Sequence, residues 1–349
     1  MGFHCRGCGC VQTVRALMEG ELMSRFIGLV FATCLLAIGT SVSAQAASPD
    51  WPKSLTLGTA SPGGVFYVYG EAMAKILTES LKIDVNPLPT QGSEHNVKLI
   101  ESGGAQLGLL TMGSGLQGWN GTGDWTKGQR YRKIRALFPM YDNVFSFVTL
   151  RRSGVTTVAQ FNNRNIGTGP RAGAQGSYVP AILAAIGVSA KIGNSAWESL
   201  IADLLNGSYD GIVMLAGTPS PVLKKLETKE PVVFASLTSE QVETIRKAMP
   251  ELTISQINSG AYTSLDKTYT TVGLFAFAVG RDDLPDDLVY QLVKAVFDNQ
   301  PRLVKATSAA IDTIPQNALK DTFLPFHPGA VRYYREIGIK IPDALVSTN

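Results

Sequence analysis

Strand signals and helix signals alternate along this 349-residue chain from about residue 54 onward, and this alternation strongly constrains its fold. In the stretch LTLGTASPGGVFYVYGEAMAKIL, residues 55–77, an apolar run leads through a Gly-rich turn at Ser61 to Gly64 into a helix. One apolar stripe runs along that helix: Tyr69, Ala72, Met73, Ile76 and Leu77. Repeated units of this kind predict an α/β fold, with helices packed on largely parallel sheets.

The length of the chain is sufficient for two domains rather than one. Two apolar extended runs, at residues 145–150 and 271–279, are predicted to cross between two lobes. The predicted organisation has three parts. Residues 47–150 form the first part of lobe one with the first hinge strand, residues 151–270 form lobe two, and residues 271–349 form the return hinge strand and the rest of lobe one.

Residues 23–46 have the layout of a secretory signal peptide. Arg25 precedes an apolar run from Phe26 to Ile38, and small residues follow it up to Ala44-Gln45-Ala46. The apolar run is shorter than the ~20 residues that a membrane span needs, although a membrane anchor is the alternative interpretation. Residues 1–46 are therefore predicted to be removed, and the exported, periplasmic protein is predicted to begin near Ala47.

Three of the four cysteines lie upstream of this signal, at a spacing that superficially suggests a metal site: Cys5, Cys8 and Cys10. A structural zinc site normally needs a second cysteine cluster, which the sequence lacks. Either translation starts at Met23 rather than Met1, or this segment is removed with the signal. Since every cysteine precedes Ala47, no thiol and no disulfide is predicted for the exported protein. Its two remaining histidines, His95 and His327, are far apart in the sequence, so no metal site is predicted, and no cofactor is predicted either.

The charge of the chain argues against nucleic-acid binding. Residues 1–46 contain three basic and two acidic residues, so the exported part carries 28 basic against 26 acidic residues. It contains no basic run of the kind that nucleic-acid binding requires.

Motifs for enzymatic chemistry are weak or absent. The segment Gly113-Ser-Gly115-Leu-Gln-Gly118 matches the dinucleotide pattern and follows a strand, but the residues after it cannot form a helix, so a loop is predicted there. Of the three histidines only His95 and His327 lie beyond residue 46, and no Gly-x-Ser-x-Gly elbow is present. Structural roles are preferred for both histidines, and the protein is predicted not to be an enzyme.

Four turns between a strand and a helix are rich in Gly, Ser and Thr: 61–64, 90–93, 168–176 and 217–219. Each could be ordinary turn chemistry, but together they favour helix N-termini that converge on a cleft at the carboxyl ends of the strands. Helix caps are predicted at Ser93, at Ser195 in a capping box with Glu198, and at Thr218 before Pro219.

Four stretches resemble the TAXI family, the extracytoplasmic solute-binding subunits of one class of tripartite ATP-independent periplasmic (TRAP) transporters. They are residues 55–77, PLPTQGSEHNVKLIESGGAQLGLL at 87–110, WESLIADLLNGSYDGIVMLAGTPSPVL at 197–223, and FHPGAVRYYREIGI at 326–339. The last stretch, which begins His-Pro-Gly-Ala from His327, is the most specific. Together with the signal peptide, the resemblance covers essentially the whole exported chain.

The resemblance implies a type II periplasmic-binding-protein fold, with a ligand held between two lobes. It also implies delivery of a small carboxylate, such as glutamate or 2-oxoglutarate, to membrane permease subunits driven by an ion gradient. Separately from the resemblance, the protein is expected to be a monomer. The alternatives are a receptor for an ATP-driven importer or a sensor, or an enzyme on the same scaffold. The loop from Thr168 departs from the Gly-Ser-Gly-Thr run that is usual in similar proteins.

The family's binding loops correspond to residues 61–67, 91–93 and the loop from 168. Within the four turns, Arg171 is the one guanidinium, and it could grip a carboxylate through two parallel hydrogen bonds or point to solvent. Tyr67 is expected to form an apolar wall. The predicted ligand-binding residues are Ser61, Gly63, Gly64, Tyr67, Gln91, Gly92, Ser93, Thr168, Arg171, Gln175, Gly217 and Thr218.

Overall fold

The structure of the protein is a computed structural model that describes residues 50–347. The predicted signal peptide and the start near Ala47 lie outside the described residues. Within residues 50–347, no helix is both long enough and apolar enough to span a bilayer.

Ten strands of the described part form one sheet. They are β1 (Ser54–Gly58), β2 (Asp84–Leu88), β3 (Leu107–Thr111), β4 (Ile134–Leu150), β5 (Asn165–Thr168), β6 (Lys191–Asn194), β7 (Gly211–Ala216), β8 (Val232–Phe234), β9 (Thr253–Ile257) and β10 (Tyr269–Arg281).

Ten α-helices accompany these strands within residues 50–347. They are α1 (Val65–Leu81), α2 (Ser93–Ser102), α3 (Met112–Asn120), α4 (Ala174–Ala185), α5 (Trp197–Leu205), α6 (Pro221–Glu227), α7 (Ser239–Ala248), α8 (Asp286–Asp298), α9 (Gln300–Ala306) and α10 (Pro328–Glu336).

The sheet consists of two parallel groups joined by a central antiparallel pair. Its strand order is β2-β1-β3-β10-β4-β7-β5-β6, with β8 paired to β4 and β9 to β10. The pairs among β1, β2 and β3 are parallel, as are those among β5, β6 and β7. Strands β4 and β10 pair antiparallel with each other and with their outer neighbours. The predicted α/β alternation is confirmed, and the antiparallel centre is the exception to its parallel pairing.

Three apolar cores lie against this sheet. The first is built from residues 55–141 together with residues 275–341. The second and third use residues 144–274. Residues 275–341 therefore pack with residues 55–141, and residues 144–274 form cores of their own.

The sequence pattern also predicts a strand at residues 165–168 followed by a helix through Ala185, and a helix that ends at Gly103-Gly104; these boundaries are confirmed. Strand β5 covers Asn165–Thr168, and α4 ends at Ala185. Helix α2 ends at Ser102, followed by Gly103 with φ +81°. In α1 the predicted stripe is buried except for Ala72, which is half-buried.

The loop predicted at residues 113–118 is wrong, because these residues belong to α3. A Cβ on Gly113 would lie 2.7 Å from Leu274 Cδ2 on β10, and a Cβ on Gly115 would lie 2.9 Å from Leu324 Cδ1. Glycine disfavours a helix by roughly 1 kcal/mol relative to Ala, but here it lets the helix approach its neighbours closely. Tertiary packing overrides the local propensity.

Two of the predicted caps are also wrong. Ser93 is the first residue of α2 rather than its cap, and its Oγ accepts a hydrogen bond from the Thr111 N–H at 3.1 Å. No side chain caps α5, and the Ser195 Oγ lies 3.3 Å from the Tyr209 Oη instead. In both cases a hydroxyl bonds to a distant part of the chain, which local sequence does not reveal.

The third predicted cap is displaced along the chain. Helix α6 begins at Pro221 after Ser220, so the predicted start at Thr218-Pro219 is too early. Its first helical position is still a proline, as the sequence pattern requires.

We predict that Gly113→Ala destabilises the protein by about 1–3 kcal/mol, although alanine is the better helix former. The new methyl group would collide with the Tyr178 hydroxyl and with Leu274. Chemical denaturation of both proteins measures the difference in the free energy of unfolding.

The matched control is Asn120→Ala at the exposed end of the same helix, which should change stability by no more than about 0.5 kcal/mol. Equal stability of Gly113→Ala and the parent protein would contradict the packing explanation.

Candidate functional site

A small cavity of about 50 Å³ lies between the two parallel groups of the sheet. Most of its lining follows the carboxyl ends of parallel strands, which is where α/β folds bind ligands. The lining residues are Ala60, Ser61, Gly64, Val65, Phe66, Gln91, Gly92, Ser93, Thr111, Asn143, Pro170, Gly173, Ala174, Gln175, Trp197, Met214, Leu215, Ala216 and Ser220.

Three helices of at least ten residues begin at this cavity. Gly64, Gly92 and Gly173 precede α1, α2 and α4, and none of these three helix starts has a side-chain cap. The first N–H groups of a helix have no partner within the helix, and they carry the positive end of its dipole. The three helix starts therefore place backbone N–H groups beside the cavity.

Glycine is required where two of these helix starts meet. Gly92 has φ +116°, and a Cβ on it would lie 3.3 Å from the Cα of Gly173. This close approach brings the backbones of α2 and α4 together at the cavity.

Two buried polar side chains that line the cavity lack a hydrogen-bond partner among residues 50–347. They are Asn143 on β4, through its Nδ2, and Ser220 before α6, through its Oγ. Each residue is only 2% exposed. A buried polar group without a partner is costly, so these two atoms are candidates to bond a ligand.

Apolar side chains complete the cavity walls. Phe66 from α1 and Met214 from β7 contribute to the lining, and Trp197 at the start of α5 contributes a third large side chain. This mixture, apolar walls with a few placed donors, is typical of small-molecule sites.

The cavity lining contains no Asp, Glu, Lys, Arg, His or Cys among the residues that the structure describes. Its polarity comes from backbone groups, hydroxyls and amides. Such a site offers a ligand neutral donors rather than a countercharge. No group of three or more His, Cys, Asp or Glu within residues 50–347 is arranged to hold a metal ion.

The structure brings half of the sequence-predicted site residues together at this cavity. They are Ser61, Gly64, Gln91, Gly92, Ser93 and Gln175. The Gln175 Nε2 donates to the carbonyl oxygen of Pro170 at 3.2 Å, which orients its side chain within the loop.

The remaining predicted residues lie outside the cavity lining. Gly63 lines a neighbouring outer pocket, and Tyr67 is half-buried on α1, where Phe66 contributes the wall instead. Thr168 is buried, and its Oγ1 accepts from the Asn194 Nδ2 at 2.7 Å.

Arg171, Gly217 and Thr218 also lie outside the lining. Arg171 is exposed and lines a different groove. Gly217 packs so closely that a Cβ would lie 2.6 Å from a ring carbon of Tyr141, and Thr218 is half-buried. Sequence analysis missed Asn143, Ser220 and Trp197.

Hydrogen bonds join the N-terminal part of α2 to the loop and helix on the other side of the cavity. The His95 N–H donates to the Ala172 carbonyl at 3.2 Å, and the Ala172 N–H donates to the Gln91 Oε1 at 3.3 Å. The Ser177 Oγ donates to the Glu94 Oε1 at 2.5 Å. These bonds close one side of the cavity.

Glu94 is a buried acid within this set of contacts, with 2% of its surface exposed. Burial raises the pKa of its carboxyl from 4.5 to about 7, and the hydrogen bond from Ser177 and the charge of Lys98 oppose the rise. Glu94 therefore titrates near neutral pH.

Both histidines of the described part make structural hydrogen bonds. The buried His327 precedes α10, and its Nδ1 accepts from the Gly329 N–H at 3.2 Å. Burial lowers the pKa of His327, which keeps this nitrogen free to accept. The Nδ1 of His95 accepts from the Gln91 N–H at 3.3 Å.

The fold is that of periplasmic binding proteins. A solved structure described as a periplasmic transporter matches with a TM-score of 0.50 and 11% sequence identity, over 76% of this chain and 88% of that one. A second match, with a TM-score of 0.48, is a substrate-binding protein of an ABC uptake transporter from Streptococcus pneumoniae with bound histidine. It is 15% identical, over 75% of this chain and 95% of that one.

The chain belongs to the NMT1-like family, whose match extends over residues 57–338, well over half of the sequence. The predicted α/β, periplasmic-binding-protein fold is confirmed.

We predict that Glu94 makes the protein less stable as the pH rises. Its pKa in the folded protein lies above 4.5, so between pH 4.5 and about 7 the folded protein retains a proton that the unfolded chain releases. The contribution of the protonated Glu94 carboxyl to the free energy of unfolding is complete below pH 4.5. It is lost as the pH rises through 7, so the free energy of unfolding falls by up to about 3 kcal/mol.

Urea denaturation at a series of pH values from 4.5 to 8 measures this, with Glu94→Gln as the comparison because it lacks the titrating group. If the free energy of unfolding changes with pH in the same way in both proteins, its pH dependence does not come from Glu94.

Proposed function

We propose that this protein is an extracytoplasmic solute-binding protein that captures a small organic anion and hands it to a membrane transporter. The observation that carries the proposal is the cavity itself. The starts of α1, α2 and α4 meet there with two buried, unpartnered polar atoms, the Asn143 Nδ2 and the Ser220 Oγ. Both the family and the fold are consistent with this role.

A carboxylate fits these donors well. Its two oxygens accept several hydrogen bonds at once, and bonds from neutral donors to a charged acceptor are stronger than bonds between neutral groups. The helix N-termini add favourable electrostatics without a side-chain charge. Glutamate and 2-oxoglutarate are the examples that the TAXI resemblance implies.

Binding without chemical change is the second part of the proposal. General acid–base or nucleophilic catalysis needs a titratable or nucleophilic group within reach of the ligand. Within the described lining, Ser and Thr are the hydroxyl residues, and no titratable side chain stands beside them to activate one.

We further propose that the transporter is of the TRAP type, driven by an ion gradient, and that the protein works in the periplasm as a monomer. The resemblance of four stretches to the TAXI family supports this. The same fold would serve an ATP-driven importer or a sensor. Uptake assays with the cognate permease in vesicles distinguish a TRAP transporter from an ATP-driven importer. Uptake that persists without ATP and stops when the ion gradient collapses supports the TRAP assignment.

The proposed lobes are residues 47–150 with 271–349, and residues 151–270. The first apolar core combines residues 55–141 with 275–341, which supports this division. Strands β4 and β10 are the proposed hinge crossings, and ligand is expected to close the lobes around the cavity.

We predict that ligand binding makes the molecule more compact. Small-angle X-ray scattering with and without a saturating ligand should show a decrease in the radius of gyration, because an open cleft closes. Identical scattering profiles would argue for a rigid pocket.

We predict that Asn143→Ala weakens binding of the physiological anion by about 10- to 100-fold, because it removes a buried donor to a charged group. Asn143→Asp should weaken it further, since a carboxylate at this position would repel an anion. Calorimetry measures both, after native mass spectrometry of freshly purified protein has identified a co-purified solute.

Arg171→Ala is the matched control for this experiment. The sequence-based prediction expects it to lose affinity, whereas an exposed side chain outside the cavity should leave affinity unchanged. Binding that survives in Asn143→Asp but is lost in Arg171→Ala would refute the proposed cavity as the anion site.

A further inference from the structure

Trp197, the first residue of α5, separates the inner cavity from a larger pocket on its other side. It lines both spaces. The outer pocket has a volume of about 360 Å³ and is lined by Pro62, Gly63, Trp197, Glu198, Ile201, Ala202, Pro221, Val222, Lys225 and Lys229. Trp197 itself is only 7% exposed.

The indole of Trp197 is wedged between glycines from both sides of the cavity. A Cβ on Gly64, before α1, would lie 3.1 Å from its Nε1. A Cβ on Gly169, after β5, would collide with its Cη2. A side chain at either position would collide with the indole ring. These two glycines therefore allow Trp197 to lie between the inner cavity and the outer pocket.

The inner cavity is small for the solutes that the TAXI resemblance implies. One water molecule needs a cavity volume of at least about 10–15 Å³, so the 50 Å³ of the inner cavity accommodates roughly three to five water-sized groups. A carboxylate with one or two further carbons fits within this space. A five-carbon chain exceeds it unless Trp197 moves.

We infer that Trp197 ends the ligand cavity and restricts the captured anion to short-chain carboxylates of about two to three carbons. This inference rests on the proposed function and narrows its substrate class. Removing the indole would join the inner cavity to the outer pocket, where the apolar side chains of Ile201 and Val222 lie beside the charged Glu198, Lys225 and Lys229. A longer chain would then extend past position 197 while its carboxylate stayed on the helix starts.

The test compares Trp197→Ala with the parent protein by calorimetry against straight-chain monocarboxylates, from acetate to octanoate. The parent protein should bind acetate and propionate and lose affinity as the chain lengthens further. Trp197→Ala should bind the longer acids better, by about fourfold for each methylene that enters the outer pocket.

Two further variants make the test specific. Trp197→Phe retains a smaller ring and should shift the preferred length only slightly, so it serves if Trp197→Ala proves unstable. Trp119→Ala removes a half-buried tryptophan on α3 that does not line either space, and it should leave the length preference unchanged.

The outcomes separate this inference from the proposed function. If short acids bind the parent protein and both Trp197 variants keep its length profile, the inference is overturned while anion capture stands. If the parent protein prefers the long acids, the inference is again overturned. If none of the acids binds the parent protein or either Trp197 variant, the inference and the proposed carboxylate capture both fail.

Discussion

The antiparallel pairing of β4 with β10 is the interaction on which the rest of this structure depends. These two long strands lie between the parallel groups and connect them within one sheet. The register between them shifts between Phe275 and Phe277 and again between Ala278 and Val279. Because irregularities of this kind bend and twist a strand, the pair can turn the two groups toward each other, with the cavity between them.

Much of the fold follows from sequence because its signals are local. An apolar run predicts β5, an apolar stripe at helical spacing predicts α1, and two glycines that end the helical pattern predict the end of α2. Each of these predictions needs only neighbouring residues. The failures share a different cause. Helix α3 contains glycines that locally argue against a helix, and their role is visible only in close packing against distant residues such as Leu274 and Leu324, over 150 residues away in sequence.

The sequence predicts the residues that line the cavity to a similar extent. Turns rich in Gly and Ser mark helix starts, which is why Ser61, Gln91 and Gln175 were identified and do line the cavity. Asn143 lies within a strand whose neighbours are mostly apolar, and its only sequence signal is a pair of polar residues, Asp142-Asn143, in such a run. Asn143 is a candidate ligand-binding residue because its Nδ2 lacks a hydrogen-bond partner within the described residues, and no local sequence pattern contains that information.

The absence of a countercharge in the described lining has a consequence for closure. The Asn143 Nδ2 and Ser220 Oγ lack protein partners within the described residues, and the proposed closure of the lobes would shield them and the backbone donors from water. Closing without a ligand therefore leaves these groups desolvated and unbonded, which disfavours the empty closed form.

In the proposed mechanism, an anion that bonds to both sides of the cavity removes that penalty only when the two sides meet. Its affinity for the closed form then exceeds its affinity for the open form, and this difference is what shifts the equilibrium between them. Under this proposal, a site built from neutral donors links ligand binding to closure, because the unsatisfied groups that bond to the ligand would also oppose closure in its absence.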